Sequence, residues 1–388
     1  MELKNELAWK WNRLQEKMRE TGADACMLTM SVNLYYMTGQ VFSGYFYLPS
    51  EGAPVFFVRR PEDMVGENVY SVRKPEVIPE LLESCGLKMP RKLLLEGDEL
   101  PYSDYMRLQH IFQSAETGNV TGILRRQRMI KTPWEIGQIR ESARNHEQVY
   151  REIPGCYRPG MTDLEFQIEI ERRMRLHGSI GFFRAFGNNM EIFMGSLLAG
   201  ENAGVPSAFD FALGGEGMHP SSPLGAKGIV LKEGTAVMVD MSGNYTAYQT
   251  DMTRVFSIGG LSDKAYQAHQ VSIGMHAKLM KTAKAGTPCA DVYRMMLEIA
   301  RKEGLEDYFM GIRQQAKFVG HGIGLQINEL PVLSPRSEDV LEPGMVFAFE
   351  PKFVLPGVGA VGVENTFLVT DNGLEKITLL NEDIVKLT

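Results

Sequence analysis

The sequence predicts an α+β chain of two domains, a smaller α/β domain over residues 1–125 and a larger domain over residues 126–388. Three observations carry this. At 388 residues the chain is longer than most single domains and can bury a sizeable core. Its first third alternates helical and strand patterns, whereas beyond Pro133 the order becomes helix, helix, strands, helix, helix, strands. Between the two regions lies a basic run, Ile123 to Lys131, which reads as a solvated connector before Thr132-Pro133.

In the first region, Glu2 to Arg19 sets Leu7, Trp11, Leu14 and Met18 at helical spacing, and Asp24 to Leu28 follows as a short strand. Pro54 to Val58 and Arg91 to Leu95 read as further strands, with helical stretches at Pro79 to Ser84 and Tyr102 to Phe112. In the second region, Trp134 to Glu152 and Thr162 to His177 are amphipathic helices. Thr162 with Glu165 three residues on matches a capping box. Strand-rich sequence runs from Glu191 to Phe256, helices from Asp263 to Ala283 and Ala290 to Glu303, and strands with glycine turns from Lys317 to Thr388. The repeated order suggests an internal duplication, two halves contributing helices and strands to one sheet.

Composition narrows the function. With 44% hydrophobic and 23% charged residues the chain is globular rather than disordered or coiled-coil. No apolar run approaches the roughly 18 to 20 residues that cross a bilayer, and Met1 to Glu20 is charged, so the expectation is a cytoplasmic protein with no membrane partner. A net charge of −7 argues against nucleic acid as a partner. Cys26, Cys85, Cys156 and Cys289 form no CxxC pair and fit reduced thiols.

The chemistry is concentrated in the second half. Asp240 closes the apolar run Ala236 to Val239, and Asp251 opens Asp251 to Phe256 after a turn at Gly243 to Tyr245. The two strands form a hairpin that brings both carboxylates to one end of a sheet. Two buried aspartates repel each other unless a cation lies between them. Glu350 ends Met345 to Phe349, and Glu364 follows Val361 to Val363, with no lysine or arginine immediately beside these strand-end acids. His321 sits in Val319-Gly320-His321-Gly322-Ile323-Gly324, where glycines let the backbone approach another group closely. A lone histidine is more often a surface or core residue than a ligand, but the flanking glycines shift those odds. Four carboxylates and an imidazole make an oxygen-rich site that two divalent cations would neutralise, and Mn²⁺, Fe²⁺, Co²⁺ or Zn²⁺ suits it.

The order Asp, Asp, His, Glu, Glu, carried in VDMSGNYTAYQTDMTR, VGHGIGL, FAFEP and VGVEN, resembles the methionine aminopeptidase, Xaa-Pro aminopeptidase and prolidase superfamily of M24 metallopeptidases. IKTPWEIGQIRESA and GMTDLEF extend the likeness, and SVNLYYMTGQ resembles the N-terminal domain of the creatinase and prolidase branch. The resemblance implies a pita-bread catalytic fold over 126–388 preceded by a creatinase-like N-terminal domain. It implies Asp240, Asp251, His321, Glu350 and Glu364 as ligands to two metal ions, with Asp251 and Glu364 bridging and Glu350 handling the proton of the nucleophilic water. Thr253 is a candidate hydroxyl donor to the metal carboxylates, or simply a β-branched strand residue. The expected activity is Xaa-Pro peptide hydrolysis by a cytoplasmic homodimer. Tyr35, Tyr36, Tyr45 and Phe46 are candidates to wall a partner's site, although core packing is the more common fate of such aromatics.

Three places depart from the family pattern. Asn328 stands in Asn328-Glu329-Leu330-Pro331 where a catalytic histidine is expected, and an amide cannot shuttle a proton. The upstream histidine would fall near Ser222-Pro223, so His219 is the candidate to replace it. Gly362 and Asn365 occupy the places of Arg and Asp in an R-x-E-D motif. These changes keep a non-peptide amide or amidine substrate, of the creatine or cyclic compatible-solute kind, as the alternative, and a catalytically silent binding module as a third reading.

Overall fold

A computed structural model describes residues 3–187, 193–206, 208–209 and 211–388. The chain forms two compact units, 1–128 and 129–388.

The first unit is a six-stranded sheet with helices. In chain order it contains α1 (Leu3–Glu20), β1 (Ala25–Leu28), α2 (Ser31–Thr38), β2 (Ser43–Pro49), β3 (Val55–Arg60), β4 (Val69–Ser71), α3 (Ile78–Ser84), β5 (Lys92–Leu95), α4 (Tyr102–Ile111), β6 (Glu116–Asn119) and α5 (Thr121–Met129). The sheet order is β4-β3-β2-β1-β5-β6. Phe46 of β2, between Leu28 and Phe56 in the sheet, is fully buried, its ring packed against Trp11 and Phe56. Tyr36 is buried as well, so these two aromatics belong to the core of this unit rather than to an exposed wall. The basic run is not a solvated connector either. It forms α5, where Gln127 is buried and donates to the Lys10 carbonyl, and the buried Arg128 donates to Asn33 Oδ1 (3.0 Å).

The second unit begins with α6 (Pro133–Glu152) and α7 (Asp163–Leu176), each opened by a threonine capping box at Thr132 and Thr162. β7 (Gly195–Ala199), β8 (Thr235–Gly243) and β9 (Thr250–Ile258) follow, then α8 (Asp263–Thr282) and α9 (Cys289–Lys302). The chain ends with β10 (Gly320–Gly322), β11 (Glu329–Val332), β12 (Val346–Phe349), β13 (Lys352–Leu355), β14 (Gly359–Gly362), β15 (Asn365–Thr370), β16 (Gly373–Lys376) and β17 (Val385–Leu387). The Glu191 start expected for the strand region lies outside the described residues.

The two halves do not share one continuous sheet. Among the described residues, strands group as β17-β9-β8-β7, as β11-β10-β12-β15-β16 and as the hairpin β13-β14. Single bonds join the first two groups where a ladder would be needed, such as Glu364 N to Thr253 O at 3.3 Å. The β8–β9 hairpin explains why sequence alternation is weak here, because both of its faces are buried. Val237, Val239 and Met241 pack with α6 and α7 side chains such as Tyr150 and Phe166, while Ala236 and Met238 pack with α8, α9 and Phe347. Asp240 shares the second face, two residues beyond Met238. No helix of the described residues is long and apolar enough to cross a membrane.

Candidate metal centre

The registers bring the acids together. Asp240 on β8 lies opposite Thr253 on β9, and Asp251 lies two residues from Thr253, so all three share one face. On the neighbouring sheet His321 pairs with Ala348, and Glu350 follows two residues later on the same face, its amide bonded to the Val319 carbonyl (2.9 Å). The glycines around His321 are required by packing. A Cβ on Gly320 would lie 2.2 Å from the Ala348 carbonyl oxygen, and one on Gly322 would lie 2.0 Å from that of Leu330. Glu364 lies between β14 and β15, and Thr253 Oγ1 donates to its Oε2 at 2.7 Å. The hydroxyl of Thr253 therefore does more than fit a strand.

Sequence reasoning missed two cations. The first is Lys352, at the start of β13 and fully buried. Its Nζ donates to Glu350 Oε2 (2.7 Å), Asp240 Oδ2 (2.8 Å) and Glu364 Oε2 (3.0 Å). The acids are thus not free of basic neighbours in space, which corrects the reading that no lysine or arginine stands beside them. A lysine inside the apolar run Phe349 to Leu355 was the available signal, since lysine is almost never fully buried unless paired. Lys352 lies directly opposite Gly362, the position where the motif resemblance expects arginine. A Cβ there would lie 2.6 Å from the Pro351 carbonyl oxygen, so the hairpin carries its cation on the other strand. The second is Arg254, whose guanidinium is buried. It donates to the carbonyls of Thr253, Glu364, Leu380 and Asn381 and to Asn365 Oδ1, tying β9 to the segment that presents Glu364.

Electrostatics follow from burial. Burial first, then the charge of Glu350, pushes Glu364 up to about 8. Burial also raises Asp251, reinforced by Glu364, and raises Glu350 against the pull of Lys352. Burial disfavours the Lys352 ammonium, but Asp240, Glu350 and Glu364 hold its proton well above the usual lysine range. Burial lowers His321, keeping its ring neutral. With Nδ1 facing the Gly322 carbonyl (3.2 Å), Nε2 presents its lone pair 3.5 Å from Glu350 Oε1 and 3.8 Å from Asp251 Oδ2.

A divalent ion fits one side of this cluster. Asp251, His321 and Glu364 place ligand atoms within 4.8 Å of one another. Glu364 Oε1 is buried with no hydrogen-bond partner, an arrangement that calls for a cation. A second group, Asp240, Glu350 and Glu364, meets the same distance criterion. Without metal the cluster should make stability depend on pH. Because the folded value of Glu364 lies above its ordinary 4.5, its contribution is complete below about 4.5 and is lost as pH rises through about 8. Unfolding temperatures of chelator-treated protein are expected to fall between pH 5 and 8, and Glu364→Gln should flatten that slope.

The centre forms the floor of a cleft whose walls include Phe183, Phe211, Leu213, Phe318 and Ile327. Asn328 lines it, but both atoms of its amide are committed to Phe186, accepting from N (2.7 Å) and donating to O (2.8 Å). It clamps the segment carrying Phe183. Asn328→Ala should loosen that wall and raise KM about tenfold with a smaller change in kcat, measured by steady-state kinetics. His219 does not line the cleft. Its exposed side chain bonds Ser221 Oγ (2.8 Å) and accepts from Ser221 N through Nδ1.

A family model described as metallopeptidase family M24 matches residues 137–371. The chain belongs to metallopeptidase family M24. A model of the creatinase/prolidase N-terminal domain matches residues 10–130, and together they make this an M24 hydrolase with a creatinase N-terminal domain and a pita-bread domain. The M24 match spans all five candidate ligands. Similar proteins include the Xaa-Pro dipeptidase of Pyrococcus furiosus, 24% identical over 96% of this chain and 98% of the relative. An uncharacterized peptidase of Bacillus subtilis, YqhT, is 25% identical over 97% and 99%. Among solved structures, an Xaa-Pro dipeptidase from Bacillus anthracis superposes with a TM-score of 0.82 at 25% identity, covering 98% of this chain and all of that one.

Proposed function

We propose that this M24 hydrolase cleaves the amide bond before proline in short peptides, with Asp251, His321 and Glu364 holding a divalent ion and Glu350 accepting the proton of the attacking water. When bound, the ion supplies Lewis acidity and lowers the pKa of water toward neutrality. The observation that carries the reading is the cluster of four carboxylates and a neutral imidazole at the base of an apolar cleft. The Xaa-Pro dipeptidases among its relatives support the bond class. The role of base for Glu350 is supported by its two oxygens differing in partners, Lys352 holding Oε2 while Oε1 lies on the His321 side. Phe183, Phe211 and Phe318 offer apolar faces to a pyrrolidine ring.

Among the described residues, no arginine or lysine lines the cleft to bind the free carboxylate of a dipeptide. The arrangement therefore favours Xaa-Pro-Xaa peptides over Xaa-Pro dipeptides. A non-peptide amide or amidine is the second reading, favoured by Asn328 being committed to Phe186 and by the lack of a second imidazole among the described cleft residues. Assays with Mn²⁺, Co²⁺, Zn²⁺ and Fe²⁺ on Xaa-Pro dipeptides, Xaa-Pro-Xaa tripeptides, creatine and cyclic amidines test this. The expected result is tripeptide turnover above dipeptide turnover. Turnover of amidines with none of any proline peptide would overturn it in favour of the second reading.

A further inference from the structure

We infer that the centre takes one divalent cation, on the Asp251, His321 and Glu364 side, and that Lys352 Nζ occupies the place of a second. The inference deepens the proposed metal-dependent reading and rests on it. The oxygens divide into two sets. Glu350 Oε2, Asp240 Oδ2 and Glu364 Oε2 all accept from the Lys352 ammonium within 3.0 Å. Glu364 Oε2 also accepts from Thr253 Oγ1, so both of its lone pairs are used. On the other side, Glu350 Oε1 and Asp251 Oδ2 face His321 Nε2, and Glu364 Oε1 is buried with no partner at all.

The group formed by Asp240, Glu350 and Glu364 is therefore already compensated from within the chain. A divalent ion bonding these residues as a second site would compete with a fixed positive charge for the same carboxylates. Lys352 cannot withdraw cheaply, because its side chain is fully buried, and leaving its carboxylates would strand a buried ammonium without them. Its strand is also constrained, facing Gly362 across the hairpin, with Ser272 Oγ bonded to the adjacent Pro351 carbonyl (2.6 Å). Charge agrees with this division. One ammonium and one divalent ion neutralise three of the four carboxylates, whereas two divalent ions added to the ammonium would leave the cluster net positive.

Equilibrium dialysis of the full chain against Co²⁺ and against Mn²⁺, with metal quantified by mass spectrometry, tests the inference independently of any substrate. Wild type should hold one ion per chain, and its bound Mn²⁺ should give the electron paramagnetic resonance signal of an isolated ion. Lys352→Met and the smaller Lys352→Gly should each rise to two ions per chain, with a spin-coupled Mn²⁺ signal, while Lys352→Arg stays at one. Two ions in wild type would overturn the inference while leaving the metal-dependent reading intact. Folded Lys352→Met and Lys352→Gly proteins that both stay at one ion would also overturn it. No bound ion in any form would overturn both. If one variant fails to fold, the wild-type count and the other variant still decide.

Discussion

Glu350→Gln should lower kcat by about 10²- to 10⁴-fold with little change in KM, the loss expected when a positioned base is removed. Glutamine keeps the shape of the side chain and retains an oxygen to accept from Lys352, now at 2.7 Å from Glu350 Oε2. What it removes is the capacity to take a proton at the position of Oε1, which faces both the cleft and His321 Nε2. A base must lie within hydrogen-bond reach of the water it activates, and His219, exposed and bonded to Ser221, is not among the residues that line this cleft. Asn328 cannot substitute, because an amide neither accepts nor releases a proton near neutrality. The split between kcat and KM separates this role from a structural one. A variant that retained activity within about tenfold of wild type would show that the proton goes elsewhere.

The strand-end acids were legible because local sequence marks them. Each closes or opens an apolar run, and a carboxylate at the end of a buried strand needs an explanation wherever the strand lies in the fold. His321 was legible through its glycines, which packing against Ala348 and Leu330 demands. Lys352 was not, because its meaning depends on where its side chain goes. Two of its three partners, Asp240 and Glu364, lie 112 and 12 residues away in sequence. Arg254 was hidden for the same reason, since most of its acceptors are carbonyls on segments more than a hundred residues distant. In the first unit, β1 and β3 were legible, whereas β2, SGYFYLP, lacks alternation because its last four residues are buried on both faces of the sheet. β6, ETGN, is a short polar edge strand with nothing apolar to reveal it. His219 was singled out by proximity in sequence to an expected position, and the structure shows its Nδ1 bonded to Ser221 in a local turn, outside the residues that line the cleft.

In metal-free protein at pH 8, Lys352→Met should cost about 3 to 5 kcal/mol, the range for breaking a buried ion pair by removing one partner. For a unit of this size that lowers the unfolding temperature by roughly 10 °C. Methionine fills much of the same volume, so little of the loss should come from a cavity. The loss comes from Asp240, Glu350 and Glu364, which would face one another without the ammonium that now touches all three. The carboxylates can escape that repulsion by binding protons, so the difference between variant and wild type should shrink toward pH 5. A divalent ion offers the other escape, and saturating Mn²⁺ should therefore raise the unfolding temperature of the variant more than that of wild type. Calorimetry at the two pH values, with and without metal, measures all of these differences. An unchanged unfolding temperature at pH 8 without metal would mean that Lys352 is not the counter-ion of the cluster. Dependence on both proton and metal would identify the lost group as a cation at the centre itself, because a packing defect responds to neither.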